Sequence, residues 1–178
     1  MNFSLLARLS VSKVSRHTSA SPQRAITKRL TRPFLGATLR LIIFKRIKGS
    51  IPHFACVALE VDYATATSSI DLECSGEGWI EQGYLEEVSA DGYDDWKAGA
   101  RVGIEFALKF ARLTQARVVV RKITGLTTDT NPTIVGAAAA IATWNAIGYT
   151  PAQEVLERLE GSVFVSWSRG ANAIPVFD

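Results

Sequence analysis

The segment from Asn131 to Gly148 constrains the fold more than any other. It opens with Asn131 at an N-cap position and Pro132 at the first helical position, where a missing amide costs nothing, and Gly148 closes it. Between them stand Ile134, Val135, Ala137 to Ala140, Ile141, Ala142, Trp144 and Ile147, so the predicted helix is small and apolar nearly all round. A helix with no polar face must be covered. Its alanines permit close approach, and it is expected to lie flush on a sheet or on another helix.

A second helix is predicted from Asp91 to Leu113, where Trp96, Ala100, Gly103, Phe106, Ala107, Phe110 and Leu113 recur at intervals of three and four. Asp91, Asp94 and Asp95 sit in or before its first turn, where carboxylates are favoured by the helix dipole, and their expected role is capping. Strands are predicted at Thr38 to Ile47, Phe54 to Asp62, Ile70 to Trp79 and Ala116 to Thr124, with turn chemistry at Lys48, Gly49, Ser50 and Pro52. Val57, Leu59 and Val61 share one face of the second strand, and Ile70, Leu72 and Cys74 share one face of the third; Glu60, Asp71 and Glu73 mark the wet face. Ala64 to Ser69 is read as a hairpin connection, so the first three strands are expected as an antiparallel meander with one face open to helices. A short helix over Pro151 to Glu160 and a final strand over Val163 to Trp167 complete the order.

These phases place Cys74 on the core side and Cys56 on the opposite side, which argues against a disulfide. Without a CxxC pair or a histidine partner set, both cysteines read as small buried hydrophobes in a reducing compartment. Trp79, Trp96, Trp144 and Trp167 are likewise read as packing groups.

Charge divides the chain sharply. Through Leu59 it carries eleven Lys and Arg and no acid, leaving nine bases against all 17 acids from Glu60 onward. The body is therefore acidic, which argues against general polyanion binding, although phosphate neutralisation dominates nucleic-acid affinity where basic charge gathers. Residues 1–37, rich in Ser and Arg and holding Pro22 and Pro33, read as a basic tail, and residues 38–178 as one domain. The tail fits a transit peptide in composition, but Leu5, Leu6 and Leu9 interleave with Arg8, Lys13 and Arg16 and leave its amphipathic face poor. An RNA-touching basic arm and a misplaced start are equally open. A cytoplasmic location follows if the tail is not a targeting signal, and an organelle matrix if it is.

Several chemistries find no support. No apolar run approaches the ~18 residues of a membrane span, no Gly-rich phosphate loop ends in Gly-Lys-Ser/Thr, and the two histidines, His17 and His53, are not at metal spacing. No catalytic residue, metal set or cofactor is assigned.

The order of elements is βββαβα with an appended helix and strand. Arg46, Gly49, Phe54, Val57, Glu60 and Asp62, then Gly103 and Ile104, then Gly125, Asp129 and Asn131 followed by Ala137 to Ala142, make it resemble domain IV of the elongation factor G and elongation factor 2 family, over roughly residues 40–148. The resemblance implies an α+β, two-layer α/β sandwich of ribosomal-protein-like type with a left-handed crossover, where pattern reasoning alone favours the right-handed one. It also implies two tip loops that reach RNA in the decoding centre, mapping here onto 48–53 and 127–130. The family's GTP-binding domain has no counterpart in this sequence, its repeated tip glycines become Gly49, Ser50, Ile51 and Pro52, and Thr128 stands where it commonly has His.

The leading expectation is thus a non-catalytic module binding ribosome or structured RNA through Lys48, Gly49, Ser50, His53, Thr127, Thr128, Asp129 and Thr130. His53 beside Phe54 reads either as a solvated strand start or as an RNA-stacking pair, and Asp129 and Asn131 as loop organisers and helix cap. The alternative is a protein-interaction module whose acidic body meets a basic partner. A small-molecule enzyme on the same fold is third.

Overall fold

The computed structural model describes residues 39–63, 67–80 and 84–177. The expected basic tail, residues 1–37, lies outside them. In chain order the elements are β1 (Arg40–Lys48), β2 (Ile51–Asp62), β3 (Ser69–Leu72), β4 (Gly78–Ile80), β5 (Leu85–Glu87), α1 (Asp94–Phe110), β6 (Arg117–Leu126), α2 (Pro132–Ile147), α3 (Gln153–Phe164) and α4 (Ser166–Arg169). They form a two-layer α/β sandwich, a six-stranded sheet with its helices on one face.

One face of the sheet is sealed. Val57, Leu59, Val118, Val120 and Ile123 are fully buried against α1 and α2, together with Phe44 from β1. The helix α2 behaves as its sequence demands: Asn131 Oδ1 accepts from the Ile134 amide at 3.1 Å, Gly148 ends it with φ 66°, and Ile134 to Ala140 are buried without exception. Two helices meet there backbone to backbone. A Cβ at Gly103 of α1 would lie 1.9 Å from the Gly136 carbonyl oxygen of α2, and one at Gly99 would lie 2.2 Å from the Pro132 oxygen. The tryptophan of α2, Trp144, is buried and donates its indole N–H to the Ala107 carbonyl at 3.1 Å.

The other face carries paired charge. Arg117 meets Asp71 at 2.7 Å and Glu73 at 3.5 Å, Arg121 meets Glu60 at 3.1 Å and also Glu73, and Lys122 meets Glu87. The acids expected on the wet face are there, but bases of β6 neutralise them. A bulge between Ala58 and Leu59 in the β2–β6 register puts Arg121 and Lys122 consecutively on this side.

Several details differ from the expected layout. The first three strands are not a meander: β3 pairs with β6 in parallel, Ser69 opposite Arg117 through Leu72 opposite Val120, and β6 separates it from β2. The run Val118 to Val120 explains this, since Val119 is buried on the ion-paired face as well and a strand apolar on both faces belongs at the centre. The third predicted strand breaks after Leu72, and Gly78, at φ 82°, starts a separate hairpin of β4 and β5 that pairs with the second half of β6. Trp79 in that hairpin is 59% exposed, not core. The predicted final strand at Val163 to Trp167 is helical, because Val155, Leu159 and Val163 form a four-residue period buried on one side of α3. Pro52 lies in β2 rather than in the turn, outside the Cys56–Asp62 stretch that pairs with β6. The helix α1 starts at Asp94 behind Tyr93, whose φ is 56°, and no side chain caps it; Asp94 and Asp95 act only through the first-turn dipole.

Both cysteines are free and buried, and burial pushes both thiols up, so they stay protonated at neutral pH. No helix of the described residues is long and apolar enough to cross a membrane.

Candidate binding site at the sheet tip

The turn joining β1 and β2 is two residues long. Gly49 and Ser50 both take left-handed backbone, at φ 56° and 67°, as a hairpin of this length requires, and Lys48 lies opposite Ile51. Lys48, Gly49, Ser50, Ile51 and Pro52 are all exposed.

The second predicted loop meets the first through main chain. The Phe54 amide donates to the Asp129 carbonyl at 2.8 Å, and the Thr130 hydroxyl donates to the Phe54 carbonyl at 2.6 Å while accepting from the Leu126 amide at 2.7 Å. Within the loop, the Asp129 and Thr130 amides both donate to the Leu126 carbonyl, and the Thr128 hydroxyl donates to Asp129 Oδ1 at 2.7 Å. Thr127 is tied sideways to the β4–β5 hairpin, its hydroxyl 2.6 Å from Glu86 Oε1 and its amide 3.1 Å from the Tyr84 carbonyl. The two loops therefore form one braced end of the sheet. That end presents Lys45, Lys48, Thr127 and Thr128 to solvent.

Two of the predicted site residues are withdrawn from the surface. Thr130 is buried, and its hydroxyl is consumed in bracing. His53 is 1% exposed, so it is neither a solvated strand start nor a ring open to an incoming base. It packs edge-on against Phe164 of α3, ring centroids 5.6 Å apart. The Arg46 and Ile51 carbonyls lie near the imidazole, yet neither ring nitrogen reaches a partner with hydrogen-bonding geometry. Burial holds the His53 pKa below its ordinary value, with the Arg46 and Ile51 carbonyls and the Asp129 carboxylate opposing and the Lys48 charge assisting.

What sequence reasoning missed is that the helix predicted over Pro151 to Glu160 runs on to Phe164 as α3, and its role at this end. Glu160 accepts from Arg46 Nε at 2.7 Å, and the Lys48 ammonium lies 4.6 Å from the centre of the Phe164 ring. Arg46 also stacks over Phe44 at 5.1 Å. Thus of the basic run Lys45, Arg46 and Lys48, Arg46 is committed to the fold, Lys48 is steadied by an aromatic face, and Lys45 stands clear. The spacing of Glu160 and Phe164, one helical turn apart, is the available signal, and the alternation from Val163 to Trp167 masks it. Behind the second loop, Asn131 Nδ2 donates to Ser166 Oγ at 2.8 Å in a fully buried contact, locking α4 to the start of α2.

On the far side of the second loop Tyr93, Trp96 and Glu86 form a shallow cleft with Asp94 and Asp95. Burial and the Glu86 hydrogen bond push the Tyr93 hydroxyl up to about 12, so it stays neutral. Among the described residues, no group of three or more His, Cys, Asp or Glu stands ready for a metal ion.

No family model matches the chain, and no curated protein matches it. Among solved structures it is similar to the crystal structure of ttk003000868 from Thermus thermophilus, at 14% identity and a TM-score of 0.49, covering 74% of this chain. The match takes in 20% of that structure, so this chain spans about a fifth of its length.

Proposed function

We propose that the protein is a non-catalytic binding module, resembling domain IV of the elongation factor G and elongation factor 2 family, that takes structured RNA, the ribosome included, on its joined tip loops. The observation that carries this reading is the bracing of the loops by the Phe54–Asp129 and Thr130–Phe54 hydrogen bonds. It makes a preorganised end from two distant stretches of sequence, and a rigid surface loses little entropy on binding. Lys45 and Lys48 supply charge for phosphate, and the hydroxyls of Thr127 and Thr128 supply short polar contacts. Arg46 is not counted, because Glu160 already neutralises it.

The test is a salt titration of the full chain against isolated small ribosomal subunits and against a structured RNA hairpin. Each lysine that neutralises a phosphate contributes about one unit to the salt slope, so Lys45→Glu and Lys48→Glu should each weaken binding and flatten the slope by roughly that amount. Unchanged slopes in both variants would assign the binding to the basic residues 1–37 and rule out the tip. Salt-insensitive capture of a protein partner in place of RNA would favour the protein-interaction reading.

A further inference from the structure

The strand β1 is an edge. It pairs with β2 along all nine of its residues, and it stands at the end of the strand order. On the ion-paired face of the sheet its side chains form a row: Leu41 is 55% exposed, Ile43 60% and Ile47 66%, continuing Leu39 at 53%. Beneath them lie small residues of β2, Ala58 opposite Leu41 and Cys56 opposite Ile43. Singly exposed apolar residues need no explanation, but a row of them, interrupted by Lys45, along an edge with no partner strand among the described residues does.

The other face of β1 has a different character. Arg40, Arg46 and Lys48 alternate there with Ile42 and Phe44, and the strand contains no acid; Arg46 is already paired with Glu160, so Arg40 and Lys48 carry the unneutralised charge of this face. We propose that β1 accepts an extended segment of a partner protein as an added strand, one whose side chains alternate between apolar residues and acids. Main-chain hydrogen bonds would satisfy the free edge, the apolar side would cover Leu41, Ile43 and Ile47, and the acidic side would meet the basic face.

Charge selects this occupant over two others. A second copy of β1 would set bases against bases, which is unfavourable between strands. The residues before Leu39 hold seven bases and no acid, so they are no better matched. The lysines of β1 discourage self-pairing without hiding the apolar row, a combination suited to one kind of strand rather than to any. Strand addition at β1 does not depend on RNA binding at the tip.

The experiment uses the full chain labelled with nitrogen-15 and four probes: the capped peptide Glu-Val-Glu-Ile-Glu-Val-Glu, the same residues reordered with the apolar ones together, an alternating Lys/Val peptide, and a single-stranded RNA octamer. At saturating alternating acidic peptide, every second amide of β1 should gain about tenfold or more in exchange protection, matching a tenfold equilibrium shift. Leu41→Lys combined with Ile43→Lys should weaken that peptide about tenfold. If that variant unfolds, methylating alternate peptide nitrogens on the probe serves instead, and it should abolish binding. Equal binding of the reordered or basic peptide, binding without protection of β1, no binding at all, or the same protection from the RNA octamer would each overturn the proposal.

Discussion

Replacing Gly103 with Ala tests the backbone-to-backbone approach of α1 and α2. A Cβ there would sit 1.9 Å from the Gly136 carbonyl oxygen and 2.6 Å from its carbonyl carbon, both main-chain atoms that cannot rotate aside. Carbon–oxygen contacts settle at about 3.3–3.6 Å, so α1 and α2 would have to part by roughly 1.5 Å. Overpacking of a tight core costs about 3 kcal/mol at the upper end of the usual range. Alanine in a helix interior returns about 1 kcal/mol relative to glycine. The net expectation is a loss of about 2 kcal/mol, read as a drop of roughly 4–8 °C in Tm for a chain of this size. The internal control is Gly161→Ala in α3, where no atom lies within 4 Å of the added Cβ, and which should gain about 0.5–1 kcal/mol. Urea denaturation of the three proteins gives both values. A Gly103→Ala protein within about 0.5 kcal/mol of the parent would refute the backbone-to-backbone packing of the two helices.

Asn131→Ala removes the cap on the Ile134 amide and strips Ser166 of its buried donor, so it should cost about 1–2 kcal/mol in the same denaturation assay. His53 should make the fold sensitive to mild acid. Its folded pKa lies below the ordinary 6.5, so the unfolded chain takes up the proton first and stability falls as pH drops beneath about 6.5, by at most about 1.4 kcal/mol per pH unit. His53→Leu should flatten the profile just below about pH 6.5, and an unchanged slope would place the titrating group elsewhere. The two thiols, buried and held protonated, should react with a disulfide reagent at neutral pH only as the protein unfolds. Rapid modification of the native protein would contradict their burial.

The elements most legible in the sequence are those whose signals are local. Asn131, Pro132 and Gly148 bound α2 by cap chemistry, and the alternation of Val57, Leu59 and Val61 marks the buried phase of β2. Strand partners are a different matter. Nothing in the period of Ile70 to Cys74 tells that β3 runs beside β6; the cue lies in its partner, where Val119 is buried on the second face of β6. The strands β4 and β5, at three residues each, are too short to show a period. At Val163 to Val165 two periods compete, and the longer one, from Val155 through Leu159, prevails because it buries three side chains. For the tip, the nearness of the two loops came from the resemblance and not from the residues. The fate of His53 depends on Phe164, far along the chain and on an element whose sequence reads as a strand. A single imidazole carries no mark of its own burial.

If the joined loops act as one surface, mapping that surface shows it most directly. In the full chain labelled with nitrogen-15 and titrated with a structured RNA hairpin, the amides of residues 45–51 and 127–129 should shift together, along one binding curve, with those of α1 and β3 unmoved. Shifts confined to residues 1–37, or tip loops that respond with separate affinities, would contradict it.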